Sequence, residues 1–395
     1  MVNEKMIGLG KQSSAIRELF EYGKIRKQEI GEENVFDFSI GNPNVKTPDF
    51  VNEKIIEIIK NTDSVALHGY TSATGDINTR NAIASYLNKT FNCNEQGKYI
   101  YLTLGAAASL SITFNALLNE GDEVILFAPF WPEYKVLAQQ AKGKIVIVNS
   151  DDNFYPDMDD LNSKISFKTK VVVINSPNNP TGVIYGEEVI KQIASILNKK
   201  QNEYKHDIYL LSDEPYRELI YGNEKYPFVT NYYDNSLVAY SFSKSLSLPG
   251  ERIGYLLVSN KCNEVDDVFA SVCGAGRSLG FVCATSLFQK LIPYVLDITS
   301  DLSTYKINRE LLYKGLTDLG YEVIYPSGAF YMFVKALEED DEHFSNVAKN
   351  HELLLVPSSS FGVKGYVRIS YCVATDVIKN AMPSFEKLMK HYKGE

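Results

Sequence analysis

The sequence predicts an α/β fold with a mainly parallel sheet covered by helices, and two observations carry this prediction. Between about residues 100 and 260, short apolar runs alternate with segments of helical period, which is typical of βαβ units. The runs are apolar almost throughout, as expected of strands that are buried on both faces. The seven runs are YIYLTL, EVILFAPF, KIVIVNS, VVVINS, DIYLLSDE, SLVAYSFS and IGYLLVSN.

Length and composition indicate one large domain and one smaller domain. The chain has 395 residues, of which 45% are hydrophobic, and it can therefore bury a large core. A helix is predicted at about residues 12–30 and an amphipathic segment at about 295–319, followed by the short strands YEVIYP, AFYMFV and YVRISY. We expect residues 1–47 and 295–395 to form a small α+β domain, and residues 48–294 to form the large domain.

Charge and composition exclude several classes of partner. A net charge of −9 argues against nucleic acid and anionic membranes, because those partners select a basic surface. The five cysteines are scattered without CxxC spacing, and the five histidines show no metal-ligand spacing. The N-terminus lacks the apolar core of a signal peptide. The sequence therefore predicts a cytoplasmic protein with no metal site and no membrane segment.

Chemically distinctive residues follow four of the predicted strands, in LGAAAS, NSPNNPTG, SDEPY and SFSK. Loops at the carboxyl ends of parallel strands are where ligands bind in such folds. Taken alone, Asp213 of SDEPY fits either a nucleotide-binding strand or the cap of the next helix, but the chain has no GxxxxGK[ST] segment. The small residues of LGAAAS fit either a phosphate-binding turn or a merely tight strand-to-helix connection.

The segment SFSKSLSLPGERIGY, residues 241–255, resembles the lysine signature of the class I/II aminotransferases. Nearly the whole chain resembles this family, typified by aspartate aminotransferase, of pyridoxal-phosphate (PLP) enzymes of fold type I. The resemblance implies a seven-stranded, mainly parallel sheet in a large PLP-binding domain. It also implies that Lys244 forms a Schiff base with PLP, and that Ser241, Ser243 and Arg252 surround the cofactor phosphate. A neighbouring cation such as Arg252 also helps a lysine to lose its proton.

The resemblance assigns three residues to the cofactor ring. Asp213 would face the pyridine nitrogen and keep it protonated, so that the ring accepts electrons from the substrate. Tyr216 and Asn179 would hydrogen-bond the 3-hydroxyl oxygen of the ring. Lys244, once released from the cofactor, would move the proton between the substrate and the cofactor. Packing for Tyr216 and an ordinary turn at Asn179 are the alternatives.

Further cofactor contacts are implied around the phosphate and the ring face. Gly105, Ala106 and Ala107 would offer backbone amides to the phosphate at the start of a helix, although many relatives place a side-chain hydroxyl there. Trp131 of APFWPEY would stack on the ring, with simple packing as its alternative. Tyr70 of HGYTSATG would cross a dimer interface to the phosphate in the partner subunit, so the resemblance implies a homodimer with a composite active site.

Four residues are implied in substrate binding, and one of them is Asn179, which is also assigned to the cofactor ring. Arg368 of GYVRISY would bind the α-carboxylate through two parallel hydrogen bonds, although an exposed strand arginine is the usual explanation of such a residue. Gly41 of SIGNPN would line the same pocket, with a turn glycine as the alternative. Arg277 lies where aspartate aminotransferases bind a distal carboxylate across the interface, and a structural helix-end arginine is the competing interpretation.

The function that these residues imply is transfer of an α-amino group between an amino acid, such as aspartate or glutamate, and a 2-oxo acid. Two alternatives remain. A PLP-dependent β-lyase, eliminase or related synthase uses nearly the same cofactor shell. A PLP-sensing regulatory domain is a different class of protein, and the acidic chain without an appended helix-turn-helix segment argues against it.

Overall fold

A computed structural model describes residues 2–11 and 14–395. Over these residues the chain divides into two compact units. The larger unit contains residues 45–178 and 184–301, and the smaller unit contains the described residues up to 44 together with 179–183 and 302–395. The short segment 179–183 therefore belongs to the smaller unit, although the sequence placed it within 48–294. The predicted domain limits after residues 47 and 294 stay a prediction.

The described residues contain fifteen α-helices and thirteen strands. The helices α1 to α15 are, in chain order, Glu4–Lys11, Ala15–Ile30, Asp49–Asn61, Ser64–His68, Ile77–Phe91, Ala106–Leu117, Glu133–Gln140, Met158–Lys164, Glu187–Tyr204, Phe242–Ser245, Val265–Ser278, Ser286–Leu291, Ser303–Asp318, Asp341–Lys349 and Thr375–Lys393. The strands β1 to β13 are Phe36–Asp37, Ile100–Thr103, Glu123–Phe127, Lys144–Val148, Thr169–Asn175, Tyr209–Asp213, Ser236–Ser241, Gly254–Val258, Val323–Ile324, Tyr331–Lys335, Leu353–Leu354, Val356–Pro357 and Tyr366–Ser370.

The larger unit is built on a seven-stranded sheet with the order β2-β8-β7-β6-β5-β3-β4. Strands β3 to β7 pair in parallel, whereas β8 runs antiparallel to both of its neighbours, β7 and β2. Six strands therefore point in one direction. Each strand falls within one of the seven apolar runs or overlaps it, and the predicted mainly parallel α/β sheet is confirmed.

The register of this sheet brings the functional loops to one edge. Asn175 pairs with Asp213 across β5 and β6, and Ser241 of β7 and Thr103 of β2 both pair with Gly254 at the start of β8. Because the six codirectional strands end at this edge, the loops that follow β2, β5, β6 and β7 emerge beside one another. The sheet thus collects residues that are far apart in sequence.

The helices of the larger unit follow the pattern expected of a covered sheet. In α9 the buried residues recur at intervals of three and four, which places them on a single face. They are Ile190, Ile193, Ala194 and Leu197. Helix α6 is buried over most of its length and packs against α7 and α11, and its apolar sequence reflects this central position.

The smaller unit has an antiparallel sheet of order β12-β13-β10-β9 and a short parallel pair, β1 and β11. The predicted helix at 12–30 corresponds to α2, which begins at Ala15; residues 12 and 13 of the prediction lie outside the described residues. The predicted amphipathic segment at about 295–319 is an α-helix only in its later part, because α13 begins at Ser303. The amide of Ser300 donates instead to the carbonyl oxygen of Ser245. Among the described helices, none is long and apolar enough to cross a membrane.

Candidate active site

Lys244 lies at the carboxyl end of β7, in the short helix α10. Ser241, the last residue of the strand, caps this helix because its hydroxyl oxygen accepts a hydrogen bond from the amide of Ser243 at 3.2 Å. Lys244 itself is partly buried, and Ser243 and Ser245 on either side are buried. The strand and its cap therefore fix the backbone from which Lys244 extends.

A cluster of donors surrounds the start of α10. The hydroxyl groups of Ser241 and Ser243 lie 2.7 Å apart, and Arg252 Nη1 donates to Ser243 Oγ at 3.4 Å. The guanidinium also donates to the carbonyl oxygens of Pro249 and Leu104, at 2.9 and 3.3 Å. The structure thus brings together the serines and the arginine that the sequence assigned to one phosphate.

Gly105 closes the same cluster. It has a φ of +83° and precedes α6, whose first amides belong to the partly exposed Ala106 and Ala107. A Cβ atom on Gly105 would lie 2.6 Å from Arg252 Nη2. Only glycine therefore allows the backbone and the guanidinium to approach this closely, and the free amides of the first helical turn point to an anion site. We call Gly105, Ala106, Ala107, Ser241, Ser243 and Arg252 the anion cluster.

Replacing Gly105 with alanine should weaken binding of PLP, the cofactor that the sequence predicts, about tenfold, because the new Cβ atom would displace Arg252 from the anion cluster. The positive φ should also cost about 1 to 3 kcal/mol of folding stability. Cofactor titration and thermal melting measure the two effects. Gly250→Ala is the control, since a Cβ atom there meets nothing within 4 Å. Equal PLP affinity in both variants would contradict the role of Gly105.

Asp213 ends β6 and is only 4% exposed. Its Oδ2 atom accepts a hydrogen bond from the hydroxyl of Tyr134 at 2.5 Å, whereas its Oδ1 atom is buried without a partner among the described residues. Burial raises the pKa of Asp213 to about 7. A cationic N–H donor at Oδ1 would satisfy the free oxygen and favour the ionised carboxylate. The pyridinium of PLP, the cofactor that the sequence predicts, would be such a donor, and its phosphate would match the donors of the anion cluster.

A buried ion pair supports the loop that follows Asp213. Glu214 Oε2 lies 2.6 Å from Arg217 Nη2, and both side chains are nearly inaccessible to solvent. Arg217 also donates to the hydroxyl of Tyr255 at 3.1 Å and lies 4.3 Å from the centre of the Tyr240 ring. Glu214 is thus paired with Arg217, whereas Oδ1 of the neighbouring Asp213 is buried without a partner among the described residues.

The remaining cofactor candidates of the larger unit lie in loops or at helix ends. Tyr216 is buried in the turn after β6, and Trp131 is half-buried in the loop after β3. Tyr70 follows α4 and is 91% exposed, while Arg277 is exposed in the last turn of α11. Among the described residues, neither Tyr70 nor Arg277 forms a hydrogen bond with the anion cluster. Their assignments therefore remain predictions about a subunit pair.

The smaller unit forms a second cluster around Arg368, on the central strand β13. Arg368 is 2% exposed, and its guanidinium donates to Asn179 Oδ1 at 3.0 Å and to the carbonyl oxygen of Ser39 at 2.5 Å. Its Cζ atom lies 4.6 Å from the centre of the Tyr331 ring. A Cβ atom on Gly41 would collide with the hydroxyl of Tyr331. Gly41, Asn179 and Arg368, which the sequence assigned to substrate binding, therefore lie together.

Arg368→Lys should raise the KM for every amino acid substrate about 10- to 100-fold, because lysine lacks the planar fork that binds a carboxylate through two hydrogen bonds. Steady-state kinetics with several donors measures the change. Arg309→Lys, at another buried arginine of the smaller unit, should affect stability without changing the KM. A loss restricted to some donors would mean that Arg368 recognises side chains rather than the α-carboxylate.

Sequence reasoning missed three residues that contact the predicted ones. Tyr134 hydrogen-bonds Asp213, Ser39 accepts from Arg368, and Tyr331 packs on Arg368. Tyr134 follows Trp131 by three residues, a spacing that places both side chains on one side of a helical turn. That spacing was the available signal; Ser39 and Tyr331 had none beyond their positions beside predicted residues.

Comparisons with known proteins agree with this geometry. The family described as aminotransferase class I and II matches residues 33–385. An aspartate aminotransferase from Pyrococcus horikoshii is 32% identical over 390 residues, covering 96% of this chain and 95% of the relative. A probable aspartate aminotransferase from Methanocaldococcus jannaschii is 30% identical, covering 95% of this chain and 97% of the relative.

Solved structures give the same result. An amino transferase from Eubacterium rectale is 54% identical and superposes with a TM-score of 0.97, covering 99% of each chain. An aspartate aminotransferase from Thermotoga maritima is 28% identical, with a TM-score of 0.86 over 98% of this chain and 99% of that one. The strand-end residues, the family match and these likenesses agree, and the chain belongs to the aminotransferase class I and II family.

Proposed function

We propose that this aminotransferase uses pyridoxal 5′-phosphate to exchange an α-amino group between an amino acid and a 2-oxo acid. The observation that carries the proposal is the buried Oδ1 atom of Asp213, which lacks a hydrogen-bond partner among the described residues. Asp213 and the anion cluster belong to the same unit. One end of this arrangement suits a protonated ring nitrogen and the other suits a phosphate. PLP carries both groups.

The chain's own residues would hold the cofactor by both ends. The amides of the first turn of α6, the hydroxyls of Ser241 and Ser243, and Arg252 would bind the phosphate. Asp213 would accept from the ring nitrogen, with Trp131 against the ring face and Tyr216 and Asn179 near the ring oxygen. When bound, PLP supplies an electron-accepting ring that stabilises negative charge at the substrate α-carbon.

Lys244 and Arg368 would act on the substrate itself. The amine of Lys244 would attach to the cofactor in the resting enzyme and, once released, would take the proton from the substrate α-carbon and deliver it to the cofactor. Arg368 would bind the α-carboxylate and so orient the α-carbon, with Gly41 leaving room beside it. This division of work fits a large PLP-binding domain at 48–294 and a small domain from 1–47 and 295–395.

Aspartate and glutamate are the amino donors that we propose. Several relatives are named aspartate aminotransferases, and that name supports an acidic substrate for this chain. Arg277 is the candidate for the distal carboxylate, because it is exposed and free to enter a neighbouring subunit.

A screen of amino donors with 2-oxoglutarate tests this assignment, with the Arg277→Ala variant beside the wild type. The variant should lose roughly 2 to 4 kcal/mol in kcat/KM for aspartate, and nothing for alanine, because only aspartate loses a charge-assisted pair. Arg17→Ala, at an exposed arginine of α2, serves as the control. Equal losses for aspartate and alanine would reduce Arg277 to a structural residue.

A homodimer completes the proposal. Large exposed apolar side chains occur on α3, on α4 and in the loop after α4, and α3 and α4 both pack against α12. Exposed apolar side chains are stabilised when they are buried against another protein surface. They include Phe50, Ile56, Ile59, Val65 and Tyr70. In the proposed homodimer, Tyr70 would bind at the anion cluster of the partner.

A further inference from the structure

Tyr134 connects two residues that the cofactor assignment uses separately. It lies in α7, is 1% exposed, and donates its hydroxyl proton to Asp213 Oδ2 at 2.5 Å. Its ring meets that of Trp131 edge to face, with centroids 5.4 Å apart and an interplanar angle of 88°. One buried side chain therefore contacts both the carboxylate assigned to the ring nitrogen and the aromatic assigned to the ring face.

The direction of the Tyr134 hydrogen bond is fixed. Burial and the adjacent Asp213 raise the pKa of Tyr134 well above its usual value, so the phenol keeps its proton. A phenol has one proton to donate, and here it goes to Oδ2. Asp213 is thereby held by one oxygen while Oδ1 remains available for a second donor.

The hydrogen bond from Tyr134 and the burial of Asp213 have opposite effects on the pKa of Asp213. Burial raises the pKa of this carboxyl and the nearby charge of Glu214 raises it further, whereas the bond from Tyr134 lowers it. Glu214 is itself paired with Arg217, and Tyr216 and Tyr185 are the other titratable groups near Tyr134. Without the Tyr134 bond, Asp213 would be a stronger base and would compete for any proton shared with a ring nitrogen.

We propose that Tyr134 is a positioning residue for the cofactor, which holds Asp213 so that Oδ1 faces the pyridine nitrogen and the shared proton stays on that nitrogen. This inference rests on the proposed function. Tyr134 also packs edge to face against Trp131, so it links the orientation of Asp213 to the aromatic side chain on which the cofactor ring is predicted to stack. Neither effect requires Tyr134 to contact the substrate.

The test is ¹⁵N NMR of the full-length holoenzyme loaded with PLP that is labelled at the ring nitrogen. We compare the wild type with Tyr134→Phe and with Tyr185→Phe, a buried tyrosine that lines the same small cavity but is not bonded to Asp213. In Tyr134→Phe the resonance should move towards that of neutral pyridine, and the Kd for PLP should rise about tenfold. Tyr185→Phe should retain the wild-type resonance.

An unchanged resonance in Tyr134→Phe, or the same shift in both variants, would overturn the inference and leave Tyr134 as a packing residue. If Tyr134→Phe fails to fold, 3-fluorotyrosine at position 134 replaces it, because this more acidic phenol strengthens the bond without changing the packing. The resonance should then move in the opposite direction, further towards pyridinium. A wild type that does not bind PLP would refute the proposed function instead. PLP binding by the wild type is therefore measured before the variants are compared.

Discussion

Lys244→Ala should lower transaminase turnover by about 10⁴-fold, the upper range for loss of a positioned acid–base group. The same change removes the amine that attaches to the cofactor, so borohydride should no longer link PLP to the protein. The measurements are kcat with an amino acid and a 2-oxo acid, and peptide mapping after borohydride reduction. In the wild type, the lysine that borohydride reduction modifies should be Lys244.

The control for this prediction is Lys142→Ala, at a lysine whose side chain is 69% exposed. It should keep wild-type turnover and PLP content. Full turnover in Lys244→Ala would refute the assignment of the acid–base group.

The inactive Lys244→Ala protein also tests the composite site. Tyr70→Phe subunits are mixed with Lys244→Ala subunits, each impaired alone. If Tyr70 acts across the interface, a hybrid dimer has one site with both defects and one intact site, and activity returns. Mass spectrometry confirms that the mixed sample contains hybrid dimers. If activity does not recover in such a sample, the result would count against a shared site.

Asp213→Asn should leave PLP bound but lower kcat by 10²-fold or more, a loss on the order of 3 kcal/mol in transition-state stabilisation. The neutral amide cannot stabilise a protonated ring nitrogen, so the ring becomes a weaker electron acceptor. Single-turnover kinetics with saturating amino acid measures the chemical step directly.

Asp341→Asn is the matched control, because Asp341 is also a buried aspartate but accepts from the backbone amides of Ser359 and Gly365 in the smaller unit. Asp341→Asn should lower the melting temperature while the folded fraction keeps its kcat. If Asp213→Asn behaves in the same way, Asp213 has only a structural role.

Much of the fold was predictable because strand and helix periodicity is local. Each of the seven apolar runs corresponds to a strand of the sheet. Because parallel strands end at the same edge of a sheet, the loops after β2, β5, β6 and β7 were expected at one edge. The start of α13 was not predictable, because the amide of Ser300 donates to the carbonyl oxygen of Ser245, and this contact has no signature in the local sequence.

The candidate site was likewise predictable where its residues are close in sequence, and not where the fold brings distant residues together. Ser241, Ser243 and Arg252 lie within one short segment, so one motif predicted them together. Tyr134 reaches Asp213 across a sequence separation of 79 residues, and such a pair is set by packing rather than by spacing. Residues 179–183 pack with the smaller unit because Gly182 lies against Gly328 and Tyr331, which the motif NNPTG alone does not reveal.

The most direct test of the aminotransferase assignment is the reaction of the PLP-loaded enzyme with L-aspartate or L-glutamate alone, followed by quantification of the 2-oxo acid. A transaminase keeps the amino group on its cofactor, so one equivalent of 2-oxo acid per subunit should form and the reaction should stop. Adding a second 2-oxo acid should restart it, with the amino group recovered in a new amino acid. Continuous release of 2-oxo acid together with ammonia, without any acceptor, would contradict the account and indicate a lyase.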